Sequence, residues 1–214
     1  NASIANKVKK VVALSTDKAS SPINLYGASK LCSDKLFTSQ VNNNLNTTFS
    51  VVRYGNVLGS RGSIIPFFLS LKNKSELPIT HPEMTRFFLT LEDAVEFVSF
   101  AFQNMTGGEI FVKKLNAIKI TTLARLINPL ARHKIVGIRE GEKIHEQMIG
   151  VDDSMFTVEF KNHYEILPNF EIKKLKIKKK AKKVKPNFLY SSSTTGKIDS
   201  DYLVKKINEI KKSI

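Results

Sequence analysis

The sequence predicts an α/β protein in which buried strands alternate with helices. Residues 11–14 and 49–53 are short, continuous apolar runs, the pattern of parallel strands covered on both faces. Between them, residues 26–40 carry apolar side chains at the turn spacing of a helix. Strand, helix and strand in this order predict a βαβ unit with a right-handed crossover.

The other elements follow from caps, turns and periodicity. Ser63 is a candidate N-cap, and Glu92 and Asp93 suit the positive end of a helix. In chain order, we expect the end of a helix at 1–10, helices at 63–73 and 91–103, a strand at 109–112, a helix at 121–127, a strand at 134–138, short strands and loops from 151, and a lysine-rich helix from 199.

The composition excludes several classes of protein. At 214 residues with 42% hydrophobic and 25% charged residues, the chain can bury a sizeable core. Cys32 is the single cysteine, which excludes an internal disulfide and favours a reducing compartment. No apolar run reaches the roughly 20 residues that span a bilayer. We therefore expect a cytoplasmic protein without a membrane segment.

The positive charge does not indicate nucleic-acid binding. The net charge is +15, and nine lysines between 173 and 185 account for more than half of it. Lysines far outnumber arginines, whereas proteins that read DNA grooves favour the forked guanidinium. The four histidines are scattered without metal-ligand spacing, so no metal site is expected.

Candidate catalytic residues follow the first predicted strand. Residues 15–18 read Ser-Thr-Asp-Lys, at a strand end where ligand crevices of parallel sheets lie. Tyr26 and Lys30 are four residues apart, so they share one face of the next helix. An ammonium beside a phenol favours the phenolate, which makes Tyr26 a candidate base. This combination is the signature of the short-chain dehydrogenase/reductase superfamily.

Within that superfamily, the chain resembles the inverting UDP-N-acetylglucosamine 4,6-dehydratases of pseudaminic acid synthesis, which belong to the extended branch. The run from Ser15 to Phe37 carries the resemblance, together with motifs at 53–63, 84–87, 137–146 and 190–192. Retaining relatives carry Met where Tyr26 stands. The resemblance implies the C-terminal portion of the extended fold, a partial Rossmann parallel sheet (1–60 and 87–114) with a smaller α/β substrate-binding domain (61–86 and 115–190) and a helical tail (191–214).

The resemblance also implies a hydro-lyase mechanism that uses NADP. Tyr26 would take the C4 hydroxyl proton, and Lys30 would hold the phenolate and contact the nicotinamide ribose. Thr16 would hydrogen-bond the same hydroxyl, Lys18 would be the C5 base, and Asp17 would protonate the departing C6 hydroxyl. The implied cofactor contacts are Ser15, Thr16, Tyr26, Lys30 and Val57.

The implied substrate is UDP-N-acetylglucosamine, bound by a homo-oligomer active in polysaccharide biosynthesis. Arg86 and Arg139 match positions that grip the diphosphate, and Glu142 matches one that faces the ribose. The other implied substrate contacts are Asn56, Arg61, Gly62, Ser63, Ile64, Ile65, Thr80, Tyr190, Ser191 and Ser192.

The glycine-rich phosphate turn of this fold, Gly-x-Gly-x-x-Gly, does not occur in the sequence. We therefore expect a fragment, or a chain completed by a separate polypeptide, and the residue that selects NADP over NAD would lie in the absent part. Two alternatives stay open. One is another UDP-sugar epimerase or retaining dehydratase, and the other is a non-catalytic binding or assembly module that uses residues 173–185 as its contact surface.

Overall fold

The structure is a computed structural model that describes residues 1–40, 46–168 and 181–213. Most of the lysine-rich run at 173–185 lies outside these residues. Backbone contacts divide the chain into two units. Unit 1 comprises Asn1–Tyr54, Glu92–Lys114 and Gln147–Tyr190, and unit 2 comprises Gly55–Leu91, Leu115–Glu146 and Ser191–Ile214.

The helices and strands confirm the predicted α/β class. In chain order they are α1 (Ala2–Ala5), β1 (Lys10–Thr16), α2 (Leu25–Ser39), β2 (Thr48–Tyr54), β3 (Asn56–Val57), α3 (Ile64–Ser70), β4 (Glu76–Ile79), β5 (Thr85–Leu89), α4 (Leu91–Asn104), β6 (Ile110–Lys113), β7 (Ala117–Lys119), α5 (Ile120–Ile127), β8 (Arg132–Ile135), β9 (Gln147–Ile149), β10 (Thr157–Glu159), β11 (His163–Ile166), β12 (Lys182–Lys183), β13 (Tyr190–Ser191) and α6 (Ser200–Ser213). Two 3-10 turns, Asp17–Ala19 and Val151–Phe156, follow β1 and β9.

Unit 1 is built on a sheet with the strand order β1-β2-β6-β11-β10-β12. β1, β2 and β6 run parallel, with Val12 opposite Ser50 and Val52 opposite Phe111. The remaining neighbours in this order pair antiparallel. The parallel pair β1 and β2, joined through α2, is the expected βαβ unit and forms part of a Rossmann-like sheet. Its strands place their carboxyl ends at one edge, where side chains can meet a ligand.

The hydrophobic pattern explains the packing of unit 1. Val52 and Phe111 on the sheet pack with Phe97 and Ala101 of α4 in one buried cluster. The first turn of α4 carries Glu92 and Asp93, as expected from the helix dipole.

A buried carboxylate fixes the turn between α4 and β6. Gly107 and Gly108 have φ angles of 120° and 81°, which favour glycine. The Glu109 side chain is fully buried and accepts hydrogen bonds from Ser50 Oγ, Thr106 N and Gly107 N, each at 2.6 Å. Burial alone would raise the pKa of Glu109, but the hydrogen bonds from Ser50 and Thr106 outweigh it, so this pKa lies below its ordinary value.

Unit 2 contains two small sheets and three helices. β3 and β5 pair parallel, β7 joins β5 antiparallel, and β4 pairs parallel with β8. Helices α3, α5 and α6 cover a core that includes Phe68, Leu77, Ile120, Leu123 and Leu203.

The structure departs from the sequence-based elements and division in several places. α3 ends at Ser70 rather than 73, β8 covers 132–135 rather than 134–138, and the short strands β3, β4, β5 and β7 were not expected. Residues 147–190 group with the parallel sheet because β11 pairs with β6. Residues 191–213 group with unit 2 because Leu203 and Ile207 of α6 lie in its core.

No helix within residues 1–40, 46–168 and 181–213 is long and apolar enough to cross a membrane.

Candidate active site

The carboxyl end of β1 continues directly into a hydrogen-bonded acid–amine pair. Lys18 Nζ donates to Asp17 Oδ1 at 3.0 Å, and Thr16 Oγ1 donates to the same oxygen at 2.9 Å. Thr16 Oγ1 also accepts a bond from the Lys18 backbone N–H at 3.4 Å and thereby caps the 3-10 turn. Three of the predicted catalytic residues are therefore in mutual contact.

Burial separates this pair from an ordinary surface ion pair. The Asp17 side chain is 0% exposed, whereas that of Lys18 is 32% exposed. Asp17 Oδ2 is buried and has no hydrogen-bond partner among the described residues, and the same is true of Ser15 Oγ. Buried polar atoms are nearly always hydrogen-bonded, so these two atoms are available to a ligand or a water molecule at this strand end.

Helix α2 begins beside the same turn. Its N-cap, Asn24, accepts a hydrogen bond from Gly27 N at 2.8 Å. A Cβ atom at Gly27 would lie only 2.5 Å from the Lys18 carbonyl oxygen, so the helix approaches the turn as closely as glycine allows. α2 therefore brings its first turn up to the acid–amine pair.

Tyr26 and Lys30 lie on that first part of α2, one turn apart. Tyr26 is 53% exposed and Lys30 is half-buried. Burial, and then the neighbouring Tyr26, raise the pKa of Tyr54 at the end of β2. The ends of β1 and β2, the 3-10 turn and the start of α2 thus form one edge of unit 1. This edge holds the five predicted catalytic residues.

Unit 2 contains most of the predicted substrate contacts, and Arg86 is the most enclosed of their charged groups. Its guanidinium donates to the carbonyl oxygens of Thr85, Lys143 and Ile144 at 2.8, 2.9 and 3.1 Å. A Glu146 carboxylate oxygen lies 3.7 Å from its Nε. Arg86 therefore holds residues 143–146 against β5.

A second set of contacts also holds residues 143–146 against β5. Thr85 Oγ1 lies 2.8 Å from His145 Nδ1 and 2.7 Å from Ser192 Oγ. Ser192 N also donates to the Glu146 carbonyl oxygen at 2.9 Å. Burial, followed by the Arg86 charge, lowers the pKa of His145. The structure thus brings together Arg86, the 137–146 motif and Ser192.

Arg139 and Glu142 form an exposed turn in that motif. Glu142 N donates to the Arg139 carbonyl oxygen at 3.1 Å, and their side-chain charges are 3.7 Å apart. The Arg139 side chain is 74% exposed, so its guanidinium is accessible to a ligand.

The other predicted binding residues occupy varied positions. Asn56 and Val57 form β3, and Asn56 Oδ1 is buried without a partner among the described residues. Arg61 and Gly62 are exposed before α3, whereas the Ile65 side chain is fully buried in the unit 2 core. The remaining positions are Ser63 as the α3 N-cap, Ile64 packed against the core, Thr80 after β4, and Tyr190 and Ser191 buried in β13.

Sequence reasoning did not single out the buried ion pair between Arg53 and Asp34. Arg53 Nη2 lies 2.9 Å from Asp34 Oδ2, with 2% and 1% of the side chains exposed. A charged residue inside an otherwise apolar strand was the available signal, because such a residue needs a buried partner.

Known proteins resemble the chain in both sequence and fold. A family model described as polysaccharide biosynthesis protein matches residues 1–168. The chain belongs to this family. It is 52% identical over 203 residues to a Campylobacter jejuni protein named UDP-N-acetylglucosamine 4,6-dehydratase (inverting), an alignment that covers 90% of the chain and 61% of the relative. The resemblance proposed from the sequence is confirmed.

Other family relatives carry a different name. A Rickettsia bellii protein named UDP-glucose 4-epimerase is 41% identical over 172 residues, covering 77% of the chain and 50% of the relative. The chain therefore spans about half to three fifths of the length of these curated relatives.

Solved structures confirm the fold. Pen from Bacillus thuringiensis matches with a TM-score of 0.83 and 33% identity, covering 97% of the chain and 64% of Pen. A dTDP-glucose 4,6-dehydratase from Streptomyces venezuelae, solved with NAD bound, matches with a TM-score of 0.57 and 19% identity over 66% of the chain and 52% of that structure. The latter likeness concerns the fold alone.

Proposed function

We propose that the chain supplies the catalytic and substrate-binding residues of an NADP-dependent UDP-N-acetylglucosamine 4,6-dehydratase that inverts C5. The product would be a UDP-2-acetamido-2,6-dideoxy-4-keto-hexose for surface glycan synthesis in the pseudaminic acid pathway. The observation that carries the proposal is the contact of 3.0 Å between Asp17 and Lys18 at the strand end beside the Tyr26 helix. The 52% identity to the Campylobacter jejuni protein supports the same activity.

The residues at this edge fit the nicotinamide end of a dinucleotide. Ser15 Oγ is a buried polar atom without a partner among the described residues, at the carboxyl end of a parallel strand. Tyr26 and Lys30 would hold the nicotinamide ribose next to it. When bound, the cofactor would accept the hydride from C4 and return the hydride at C6. The choice of NADP over NAD rests on the resemblance.

Oxidation at C4 needs a base for the hydroxyl proton. Tyr26 takes this proton as a phenolate, and Lys30, one helical turn away, stabilises the negative charge. Thr16 hydrogen-bonds the same hydroxyl and orients it. A ketone at C4 makes the adjacent C5 proton acidic, which prepares the elimination.

Elimination of water needs a base that removes the C5 proton and an acid that protonates the departing C6 hydroxyl. A neutral amine and a protonated carboxylic acid beside one sugar ring can fill these two roles. Transfer of one proton from Lys18 Nζ to Asp17 along their hydrogen bond converts the ion pair into this form. The neutral Lys18 amine then removes the C5 proton, and Asp17 protonates the departing C6 hydroxyl.

The substrate diphosphate requires cationic donors, which unit 2 offers. The exposed Arg139 would bind it through its guanidinium, since forked donors suit phosphate oxygens. Arg86 would contribute its charge while its hydrogen bonds hold the 143–146 segment. Glu142 would face the ribose, and Asn56 Oδ1 would accept a hydrogen bond from the substrate.

The decisive experiment follows the product by NMR. The protein encoded by the complete reading frame is incubated with UDP-N-acetylglucosamine, and we expect a 4-keto-6-deoxy sugar inverted at C5. A 4-epimer would instead support the activity named for the Rickettsia relatives, and retention at C5 would support a retaining dehydratase. Absence of any reaction in the folded, cofactor-loaded protein would support a binding module.

A variant separates the two chemical steps. Lys18→Ala should abolish dehydration while the bound cofactor is still reduced by substrate, because oxidation at C4 does not use the Lys18 amine. Lys35→Ala, on the exposed part of α2, is the matched control and should leave both steps intact. Keto-sugar formation by Lys18→Ala at the parental rate would contradict the proposed role.

A further inference from the structure

The buried Arg53 guanidinium joins three elements of unit 1. It donates from Nη2 to Asp34 Oδ2 on α2 at 2.9 Å and from Nη1 to the Met148 carbonyl oxygen of β9 at 2.6 Å. Asp153 Oδ2, in the 3-10 turn after β9, lies 3.7 Å from Nη1. Arg53 itself belongs to β2, so the central parallel sheet is tied to a helix and to a peripheral strand through one side chain.

The helical partner lies in line with two proposed catalytic residues. Asp34 follows Lys30 by one turn and Tyr26 by two, in a single helix from Leu25 to Ser39. The rise of an α-helix places Asp34 about 6 Å from Lys30 and about 12 Å from Tyr26 along the axis. Any rotation or sliding of α2 at Asp34 is therefore transmitted to both residues.

The strand partner lies against the other proposed catalytic pair. β9 packs on the 3-10 turn Asp17–Ala19. Gly150, directly after β9, also lies near this turn, since an added Cβ would be in van der Waals contact with Ser21 Oγ at 3.4 Å. A hydrogen bond to the Met148 carbonyl oxygen therefore fixes the strand that supports Asp17 and Lys18.

We propose that Arg53 is a positioning residue, which sets the place of the Tyr26–Lys30 helix relative to the Asp17–Lys18 turn. This inference rests on the proposed function for its catalytic consequence. Stability alone does not explain the arrangement, because a buried ion pair replaced by apolar residues of similar volume often costs no stability. The forked guanidinium, in contrast, fixes the direction of two acceptors at once.

The test removes the anchor without leaving a buried charge. In Arg53→Met/Asp34→Leu both charged partners become apolar, while Asp153, 29% exposed, keeps its contact with water. We expect this double variant to fold and to unfold at a urea concentration close to the parental one. Each single variant should be less stable than the double variant, because it leaves one buried charge without its ion-pair partner.

Two readouts report position rather than folding. In the complete protein, kcat should fall about 100-fold while KM changes by less than about twofold, because misplacement by 1 Å costs this much in rate. In the 214-residue chain, the NMR signals of the Tyr26 phenol and the Lys18 and Lys30 side chains should move, whereas the Tyr202 signal in α6 should not. The control Lys114→Met/Glu159→Leu removes a pair 2.6 Å apart in the same unit and should leave both readouts unchanged.

Arg53→Lys is the second variant. It keeps the buried charge but cannot bond both acceptors in the same geometry, so the same signals should shift by a smaller amount and kcat should fall less. Parental kcat and parental signals in either folded variant would overturn the positioning role. If the parental protein lacks dehydratase activity, the proposed function fails, but the Tyr26 and Lys18 signals still test whether Arg53 sets their positions.

Discussion

Asp17 and Lys18 show how burial changes the meaning of two adjacent charges. Exposed ion pairs contribute little and usually have no role beyond solubility. Here the carboxylate is fully buried, one of its oxygens lacks a partner among the described residues, and Thr16 orients the other. These features distinguish the pair from an ordinary surface ion pair and are consistent with the role proposed for it.

The phenol of Tyr26 provides the prediction at the scale of one residue. Tyr26→Phe removes a single oxygen from a residue that is 53% exposed, so the fold should be unaffected. Reduction of the cofactor by UDP-N-acetylglucosamine should slow by about 10²–10⁴-fold, the usual contribution of a general base. Absorbance at 340 nm in a single turnover measures this rate. The control is Tyr202→Phe on α6, and an unchanged rate in Tyr26→Phe would refute the base assignment.

At the scale of elements, the close approach of α2 to the 3-10 turn organises the candidate site. Gly27 makes this approach possible, since its missing side chain leaves room for the Lys18 carbonyl and for Pro22. Asn24 caps the helix at the same place. The proposed catalytic residues of two elements are thus brought together by backbone contact at a residue that carries no chemistry itself.

Gly27→Ala tests that contact, because the close approach decides whether the substitution raises or lowers the free energy of unfolding. In an unobstructed helix this substitution would stabilise by about 1 kcal/mol. Here the added Cβ would lie 2.5 Å from the Lys18 carbonyl oxygen and 3.0 Å from Pro22 Cβ, so we expect a loss of about 1–3 kcal/mol from overpacking. Urea unfolding followed by circular dichroism measures the change. Ser29→Ala, exposed on the same helix, should be nearly neutral, and a stabilised Gly27→Ala variant would contradict the close approach.

The sequence was sufficient for the elements that have a long periodic pattern. The parallel strands β1 and β2 and the helices α2, α4 and α5 lie close to their predicted ranges, because their apolar runs and helical spacing can be read from the sequence. The predicted burial of β1 on both faces is wrong, since Leu14 in that strand is 50% exposed. Strands β3, β4, β5 and β7 are two to five residues long, and such lengths carry no readable period. The roles assigned to individual site residues stay predictions.

Side-chain contacts between residues far apart in the sequence could not be predicted from local patterns. Arg53 and Asp34 are 19 residues apart, and nothing in either segment specifies the other as its partner. The same holds for Arg86, whose acceptors lie 57 and 58 residues away in the 143–146 segment. Only the folded backbone brings such groups together, so these contacts emerged from the structure.

At the scale of the whole molecule, each unit is assembled from three separate stretches of chain. Unit 1 carries the proposed catalytic residues, and unit 2 carries most of the proposed substrate contacts. The alignment covers 61% of the Campylobacter jejuni relative, and the glycine-rich phosphate turn is absent from the 214 residues. Without that turn, a dinucleotide loses the backbone N–H groups that bind its pyrophosphate.

This absence predicts weak cofactor binding by the 214-residue chain alone. Titration with NADPH, followed by the emission of the nicotinamide, should show no saturation below roughly 1 mM, an affinity of about 4 kcal/mol. The protein encoded by the complete reading frame serves as the comparison and should bind far more tightly. Saturation of the short chain at micromolar NADPH would show that its own residues are sufficient to hold the pyrophosphate.

The contact between Arg53 and Asp34 also predicts how these two positions vary among related sequences. A lineage that loses one partner retains an unmatched charge in the protein interior, so selection acts on the two codons together. Where one position has become apolar, the other should have become apolar too, and such relatives should have lost most of the catalytic rate. Such paired replacement would record, across diverging genomes, a bond that no single sequence reveals.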